Sequence, residues 1–503
     1  SLVADGSIAA NKAIALQTDG KVKQVAIEVQ ARTTPVQAGT SVFSFSEARA
    51  PDCTWIGNLN KIAITSALNG TVHVTSVTSG SGTTSTSWTG FSYASTSVGV
   101  SGRDSLLGKN RIRYNSDTNN ILLFYSNNGS NAYVKFVQLS SSDNSVTLGS
   151  SAYQFSSDSN VAFMEADYDE NADRMVVAWS EFQQGNRHGQ IRTVNESGTG
   201  SGASASFGTK YEFNNSETQH CNVTYHKAAG KTIVSYMANG DKLWVQVVTV
   251  SSNGSMSFGT AVDVTGTGST GSHRMTYDEE NEKLVCCYGR SNRLYTRVGT
   301  VSGTSTTWGS EVGPVDDGDG GYVHDIAYDQ ASKRIGYIYR HGTNNIRFKM
   351  GAVSGTSVTV STHHQVNQAE QRLPTLTGWG TKGYFFGAAT YGSWYADGQM
   401  WVWYTTVQSN TMGNLNRYLG FSETSKTNGQ TIDIKTYGNT VSGFSGLTIG
   451  TTYFVQGDGS IATTTDLNNF PFSISNTPIA GVAIAADKLL VSQPYQALHD
   501  SGI

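Results

Sequence analysis

The chain has 503 residues, enough for one large repeat fold or for two to three domains. Only 14% of the residues are charged, whereas Gly (55), Tyr (24) and Trp (9) are frequent and Pro (7) is scarce; this composition favours short strands and tight turns over long helices. The formal net charge of −4 excludes a large basic surface for nucleic acid, and no apolar run of about 18 residues predicts a membrane span.

The two ends of the chain resemble each other. Residues 1–45 contain a strand-like segment that ends at Asp19-Gly20, and residues 411–503 contain a similar one that ends at Asp458-Gly459. Asp-Gly pairs supply the positive φ of a tight hairpin turn. Because a domain is easily inserted where chain ends lie close together, we expect both ends to form one small terminal β-domain that anchors the protein. Two unrelated hairpins are the alternative.

One module recurs between residues 46 and 410. Each copy has a first strand with an aromatic anchor, a polar turn, an apolar second strand, an aromatic-rich third strand and a short fourth strand. The anchors are spaced 51 to 59 residues apart: Trp55, Tyr114, Tyr168, Tyr225, Tyr277, Tyr328 and Trp379. Repeated four-stranded units of this length predict an all-β fold with a seven-bladed β-propeller. An open array of β-sandwich domains is the alternative.

Strand alternation selects a polar position in each module. The residue three before the anchor points away from the face that the anchor shares with the residue two before it. In a propeller this position faces the central channel, so we expect a ring near one mouth: Asp52, Arg111, Glu165, Asn222, Arg274 and Asp325, with Leu376 in the seventh module. Either the charges neutralise each other as Asp52–Arg111–Glu165 and Arg274–Asp325 and seal the channel, or the ring binds a small polar ligand or glycan.

Catalysis is not expected. Hydrolysis of a glycosidic bond needs two suitably spaced carboxyl groups, one with a raised pKa. Glu165 with Asp52 or Asp325 could supply them, but the sequence fixes no such distance. The segment Ser305-Thr306-Thr307-Trp308 has the Trp of a sialidase-type box without its Asp. No cofactor is expected.

Three further features of the sequence give weaker indications of function. Trp394, Trp401 and Trp403 are candidates for stacking on sugars, although alternation should leave only one of Trp401 and Trp403 free. Asp317 and Asp319 form a weak calcium candidate, for which a solvated loop is the favoured interpretation because further ligands are missing. The four cysteines are too few for a disulfide scaffold and are expected to be packed thiols, with Cys286 and Cys287 on opposite faces of a strand.

The terminal segments also carry a family resemblance. Residues 418–422 and 446–461, together with the opening residues 4–12, resemble small β-domains in structural proteins of tailed bacteriophages, especially marine ones. The Val-Ser-Gly-Thr-Ser strand that begins at Val301 is similar to propeller repeats of such proteins. The resemblance implies a component of the virion surface: a tail fibre, a spike or a head-decoration protein.

Fold and resemblance together predict a non-enzymatic virion structural protein. The propeller would bind a host-surface glycan, while the terminal domain would contact other virion proteins or assemble a homo-oligomer, for which a trimer is one option. The protein would be assembled in the host cytoplasm and displayed on the virion surface. A sialidase-like propeller glycoside hydrolase that acts on surface polysaccharide, or a purely structural capsid decoration protein, are the alternatives.

Overall fold

The computed structural model separates into two compact units, a terminal unit of residues 1–32 with 408–503 and a central unit of residues 33–407. The residues that the structure describes are 2–17, 19–25, 43–44, 49–68, 71–78, 93–97, 110–126, 131–143, 145–157, 161–183, 185–238, 240–266, 270–316, 324–330, 332–342, 345–361, 363–367, 371–378, 384–393, 396–406, 418–456, 459–463 and 479–492. These ranges contain no helix that could span a membrane.

Nearly all regular structure in the described residues is β-strand, and three single 3-10 turns at Gly57–Leu59, Gly200–Gly202 and Lys227–Ala229 are the exceptions. The terminal unit begins with β1 (Leu2–Val3), β2 (Ala13–Leu16) and β3 (Val22–Gln24). The central unit contains β4 (Phe43–Ser44), β5 (Arg49–Ile56), β6 (Lys61–Leu68), β7 (Thr71–Thr78), β8 (Tyr93–Ser97), β9 (Asn110–Asn115), β10 (Asn120–Ser126), β11 (Ala132–Leu139), β12 (Val146–Leu148), β13 (Tyr153–Ser156), β14 (Ala162–Asp169), β15 (Arg174–Gln183), β16 (Asn186–Ser197), β17 (Ser204–Phe207), β18 (Tyr211–Asn214), β19 (Gln219–His226), β20 (Lys231–Ala238), β21 (Lys242–Val250), β22 (Met256–Phe258), β23 (Val262–Asp263), β24 (Thr270–Asp278), β25 (Lys283–Arg290), β26 (Arg293–Ser302), β27 (Ser305–Trp308), β28 (His324–Asp329), β29 (Arg334–His341), β30 (Asn345–Ser354), β31 (Ser357–Val360), β32 (His364–Asn367), β33 (Gln371–Gly378), β34 (Tyr384–Ser393) and β35 (Ala396–Thr406). The terminal unit resumes with β36 (Tyr418–Phe421), β37 (Thr431–Ile432), β38 (Thr440–Ser442), β39 (Thr452–Val455), β40 (Ile461–Ala462), β41 (Ile479–Ala485) and β42 (Lys488–Val491). The prediction of an all-β fold is confirmed.

The described strands of the central unit form seven antiparallel sheets, numbered here in chain order. They are sheet one (β5–β8), two (β9–β13), three (β14–β18), four (β19–β23), five (β24–β27), six (β28–β32) and seven (β33–β35 with β4). In the first six, the first four strands lie side by side in sequence order; in sheet seven β4 takes the fourth place. Phe43 and Ser44, assigned by the sequence to the terminal segment, thus pair with Met400 and Gln399 instead.

The first strands of the seven sheets form a closed series. Each first strand contacts the first strand of the next sheet, and β33 of sheet seven contacts β5 of sheet one. Apolar clusters fill the space between consecutive sheets one to six, so most second strands are buried on both faces. Cys286 packs towards sheet four and Cys287 towards sheet six, which confirms that they point to opposite faces. All four cysteines are buried free thiols.

The turn after the first strand has the same construction in most sheets. The last residue of the strand accepts a hydrogen bond from a backbone N–H of the turn in five of them: Asn115, Asp169, His226, Asp278 and Asp329. Five positions after the anchor the backbone is left-handed in six of them: Asn60, Asn119, Asp173, Gly230, Glu282 and Lys333. Short polar side chains favour such turns, which explains the repeated polar segment.

The aromatic anchors connect neighbouring sheets. Tyr225 Oη in sheet four accepts a hydrogen bond from Asn171 N in sheet three at 3.1 Å, and Tyr277 Oη in sheet five accepts one from Ala228 N in sheet four at 3.2 Å. The anchor hydroxyls therefore link the first strand of one sheet to the turn of the preceding sheet.

In the terminal unit, strands from the two chain ends pair with each other. β1 pairs with β37, β2 with β36, and β38, β42, β41, β39 and β40 form a further sheet in that order. The two Asp-Gly turns share one hydrogen-bond pattern, since Gly20 N donates to Gln17 O and Gly459 N donates to Gln456 O. Their φ angles of 80° and 79° explain the glycines.

Candidate binding site in the central cavity

A cavity of about 350 Å³ lies inside the central unit and is lined by the first strand of every one of the seven sheets. All six polar residues that the sequence places in a ring line this cavity: Asp52, Arg111, Glu165, Asn222, Arg274 and Asp325. Each ring residue lies opposite the equivalent position of the second strand in its own sheet, as Asn222 lies opposite Ser235 and Arg274 opposite Cys287. Because side chains alternate along a strand, the ring residues therefore all point to the same side of their sheets.

In sheet seven the predicted ring position, Leu376, is wrong by one residue. Thr375, opposite Ala388, holds the place that Asp325 holds in sheet six, and Leu376 is buried at the following position. Leu376 N donates to Asp325 Oδ2, just as Ile112 N donates to Asp52 Oδ2. The expected anchor Trp379 lies outside the described residues; Gly378 takes the anchor position. A Cβ there would stand 2.4 Å from Tyr328 O, so no aromatic side chain fits.

A second tier of cavity residues was missed by the sequence reasoning. It contains Thr54, Arg113, Asp167 and Thr276, each two residues after a ring residue and therefore on the same face of its strand. The alternation that identified the ring also predicts this tier, so the signal was present in the sequence.

Arg113 is the centre of a buried ion-pair network. Its NH1 group donates to Asp52 Oδ2 at 2.6 Å, its NH2 group contacts Glu165 Oε1, and its Nε donates to Ala166 O at 2.8 Å. Arg111 Nε donates to Glu165 Oε2 at 2.8 Å. The predicted Arg111–Glu165 pair is therefore present, whereas Asp52 is hydrogen-bonded by Arg113 rather than by Arg111. Burial opposes ionisation of Glu165, but Arg113 and Arg111 outweigh it and lower its pKa.

Side chains of the cavity also join consecutive first strands. Asp52 accepts from Ile112 N, Asp167 Oδ2 accepts from Tyr225 N at 2.8 Å, and Asp325 Oδ2 accepts from Leu376 N at 2.9 Å. Thr224 Oγ1 donates to Met275 O at 3.2 Å. These bonds occupy most carboxylate oxygens. Burial raises the pKa of Asp167 to about 6 and also raises the pKa of Asp325.

The remaining polar groups of the cavity form fewer hydrogen bonds with the protein. Arg274 Nε is 3.5 Å from Asp325 Oδ1, and its NH1 donates to His273 O at 3.0 Å, which leaves further N–H groups of the guanidinium without a protein acceptor among the described residues. Burial and the charge of Arg111 lower the pKa of Arg274. Within the described part of the chain, no hydrogen bond occupies the amide nitrogen of Asn222 or the hydroxyls of Thr54 and Thr276.

The other candidates remain predictions. Trp394, Asp317 and Asp319 lie outside the described residues. Trp401 and Trp403 belong to β35 opposite Ala389 and Gly387. Being two residues apart in one strand, the two positions share a face, so alternation does not separate them as expected. No group of three His, Cys, Asp or Glu side chains suited to a metal occurs among the described residues.

No protein-family model and no curated protein matches the chain. Solved structures that match include a protein from Lactobacillus plantarum, 10% identical with a TM-score of 0.46 over 70% of this chain and 90% of that one. A polysaccharide lyase is 9% identical, with a TM-score of 0.43 over 80% of this chain and 99% of its own. A sialidase from Streptococcus pneumoniae is 10% identical, with a TM-score of 0.42 over 74% of this chain and 70% of its own. At these values, function must be argued from the residues of the cavity.

Proposed function

We propose that the seven sheets are the blades of a seven-bladed β-propeller whose central cavity binds a sugar unit of a surface glycan without reacting with it. The observation that carries this proposal is the cavity of about 350 Å³. Its lining includes Arg274, Asn222, Thr54 and Thr276, which have hydrogen-bonding groups that no described residue occupies. The volume falls in the range of about 300–1,000 Å³ that small-molecule sites occupy. A polyhydroxylated ligand matches this mixture of donors and acceptors, because each hydroxyl both donates and accepts.

The hydrogen bonds of the carboxylates favour binding over hydrolysis. A glycosidase needs one carboxyl group that donates a proton and a second that attacks the sugar or activates water. Glu165 accepts from Arg111, Arg113 and Ala166 N, and its lowered pKa keeps it ionised. Asp167 has a raised pKa, but both of its oxygens accept from backbone amides, Tyr168 N and Tyr225 N. Neither group is placed to exchange protons with a ligand.

The binding proposal is tested with the full-length chain on an array of defined mono- and oligosaccharides, followed by calorimetry with the best-bound monosaccharide. Arg274→Met removes the cavity guanidinium that forms the fewest hydrogen bonds with the protein, and it is expected to weaken binding at least tenfold. Arg290→Met is the matched control, since Arg290 lies in the same sheet, is similarly exposed and pairs with Glu311. The proposal fails if the wild-type chain binds no sugar, or if Arg274→Met binds as well as Arg290→Met.

Turnover is measured separately. Wild-type protein and Glu165→Gln are incubated with the arrayed glycans, and released sugars are separated by chromatography. We expect no release from either. Sugar release by the wild-type chain that disappears in Glu165→Gln would establish the glycoside hydrolase alternative.

We further propose that the protein is displayed on a virion, with the terminal unit as the anchor or as the site of homo-oligomer assembly. The support is the resemblance of the terminal segments to bacteriophage structural proteins, together with the pairing of the two chain ends in β1–β37 and β2–β36. Mass spectrometry of virions purified from a host that produces this chain should detect it, and electron microscopy should place it on the tail or the head. Its absence from purified particles would overturn the virion role.

A further inference from the structure

The charges that line the central cavity do not balance. Its described lining contains four carboxylates and three guanidinium groups, so its formal net charge is −1: Asp52, Glu165, Asp167 and Asp325 against Arg111, Arg113 and Arg274. No Lys or His lies among the described residues that line the cavity. Charges inside a cavity interact more strongly than charges on the surface, because little water screens them. The excess negative charge therefore affects which ligands can enter.

Ion pairs within the protein already engage two of the three guanidinium groups. Arg113 pairs with Asp52 and Glu165 and also donates to two backbone oxygens. Arg111 pairs with Glu165 at 2.8 Å and donates to the backbone oxygen of the residue before it at 2.9 Å. The side chains of these four residues are at most 20% exposed. An anionic ligand would therefore have to compete with Asp52 and Glu165 for both arginines.

Arg274 is the most exposed of the three cations, but it also faces a carboxylate. Its side chain is 28% exposed, and Asp325 Oδ1 lies 3.5 Å from its Nε. A ligand carboxylate bound to Arg274 would be repelled by Asp325, because both anions would share one guanidinium. A sugar hydroxyl is uncharged and can accept from the same N–H groups without this repulsion.

The excess charge of the lining belongs to Asp167. Asp52, Glu165 and Asp325 each have an arginine partner, whereas none of the described residues forms an ion pair with Asp167. Two backbone amides donate to its oxygens, which stabilises the carboxylate without cancelling its charge. A carboxylate that entered the cavity would lose its hydration and would gain no unpaired cation in return.

We propose that the cavity selects an uncharged sugar unit and discriminates against sugars that carry a carboxylate. This inference rests on the proposed function and names the class of glycan: neutral units rather than uronic or sialic acids. Three carboxylates and three guanidinium groups neutralise each other, and the fourth carboxylate, Asp167, repels anions. Arg274 and Asn222 then act on the ligand as donors of hydrogen bonds to hydroxyl groups.

Sugars that differ only at C6 test this selection. The full-length chain is screened on an array that contains neutral and carboxylated sugars, and calorimetry then compares galactose, glucose and mannose with their uronates. The titrations are run at about pH 8, where Asp167, with a pKa of about 6, is ionised. We expect neutral sugars to dominate the array. Each hexose that binds should bind about tenfold or more tightly than its uronate, because the uronate brings a carboxylate into a cavity of like charge.

Asp325→Asn tests whether the fixed charges set this preference. The variant keeps an acceptor for Leu376 N, but it frees Arg274 from its carboxylate and makes the lining formally neutral. The preference for hexose over uronate should fall by about threefold or more. Glu311→Gln is the matched control, because it removes the same charge from a similarly exposed pair with Arg290, outside the cavity lining. It should leave the preference unchanged.

The outcomes separate this inference from the proposed function. If carboxylated sugars bind as well as neutral ones on the array, or if a uronate binds as tightly as its hexose, the inference is overturned and the proposed function stands. The same preference in Asp325→Asn and Glu311→Gln would also overturn it. The comparison with the wild-type chain is decisive even if Asp325→Asn does not fold. If the wild-type chain binds no sugar, both proposals fail together.

Discussion

Arg113 Nε donates a hydrogen bond to Ala166 O at 2.8 Å, and so joins the first strands of sheets two and three inside the cavity. The same guanidinium pairs with Asp52 of sheet one and Glu165 of sheet three. One side chain therefore holds three neighbouring sheets at their inner edges. Sites of this kind are costly to disrupt, because removal of one charge leaves its partners buried without compensation.

Arg113→Met is expected to destabilise the central unit by about 3–5 kcal/mol, because Asp52 and Glu165 lose a shared cation and Ala166 O loses its donor. Lys227→Met is the matched control. Lys227 also stands between carboxylates of two neighbouring sheets, Glu170 and Glu279, but its side chain is 53% exposed, so we expect a loss below about 1 kcal/mol. Urea unfolding followed by tryptophan fluorescence measures both. Similar losses in the two variants would show that Arg113 is not a key connection.

The raised pKa of Asp167 should be visible in the pH dependence of the free energy of unfolding. Burial raises the pKa of its carboxyl group from the ordinary value of 3.8 to about 6 in the folded chain. Between these values the folded chain binds a proton that the unfolded chain does not. The contribution of Asp167 to stability is therefore fully present below about pH 4 and is lost as the pH rises through 6.

Comparison with Asp167→Asn isolates this effect. The stability of the wild-type chain minus that of the variant should fall by about 1–3 kcal/mol between pH 4 and pH 7. Asp263→Asn is the control with the opposite shift, since hydrogen bonds from Gly266 N and Lys242 outweigh burial and lower the pKa of Asp263. Its difference should stay constant over the same range. A constant difference for Asp167→Asn as well would contradict the raised pKa.

The link between Tyr225 and Asn171 predicts a measurable role for the anchor hydroxyls. In Tyr225→Phe the N–H of Asn171 loses its acceptor at 3.1 Å while the ring is retained, so we expect a loss of about 0.5–1.5 kcal/mol. Tyr211→Phe is a suitable control, because the Tyr211 hydroxyl has no hydrogen bond to another described residue. Equal stability of the two variants in urea would show that the anchor contributes through its ring and not through its hydroxyl.

The sequence predicted the ring because strand alternation and a constant aromatic anchor fix which side of a first strand faces inward. It failed at sheet seven, where Gly378 replaces the aromatic residue since no side chain fits against Tyr328 O, and where Trp379 is the nearest aromatic substitute. It also could not assign partners within the ring. Asp52 meets Arg113 rather than Arg111, a choice that depends on how side chains two residues apart cross between sheets.

The sequence carried no signal for the internal hydrogen bonds of the carboxylates, because which donor each carboxylate reaches depends on three-dimensional distances between neighbouring sheets. This difference separates two groups within the cavity lining: the carboxylates accept hydrogen bonds from the protein itself, whereas Arg274, Asn222 and the hydroxyls of Thr54 and Thr276 keep polar groups that no described residue occupies.

The pairing of β4 with β35 predicts how the central unit closes. β4 begins the described part of this unit and β35 ends it, and the two are neighbours in sheet seven, so chains cut to 33–407 or 41–407 keep the complete sheet. Both should unfold cooperatively with equal stability. A chain cut to 49–407 loses the backbone pairs Phe43–Met400 and Ser44–Gln399 and exposes the edge of β35, so we expect it to be about 1–3 kcal/mol less stable in urea. If it were as stable as 41–407, β4 would not be the strand that closes the series of sheets.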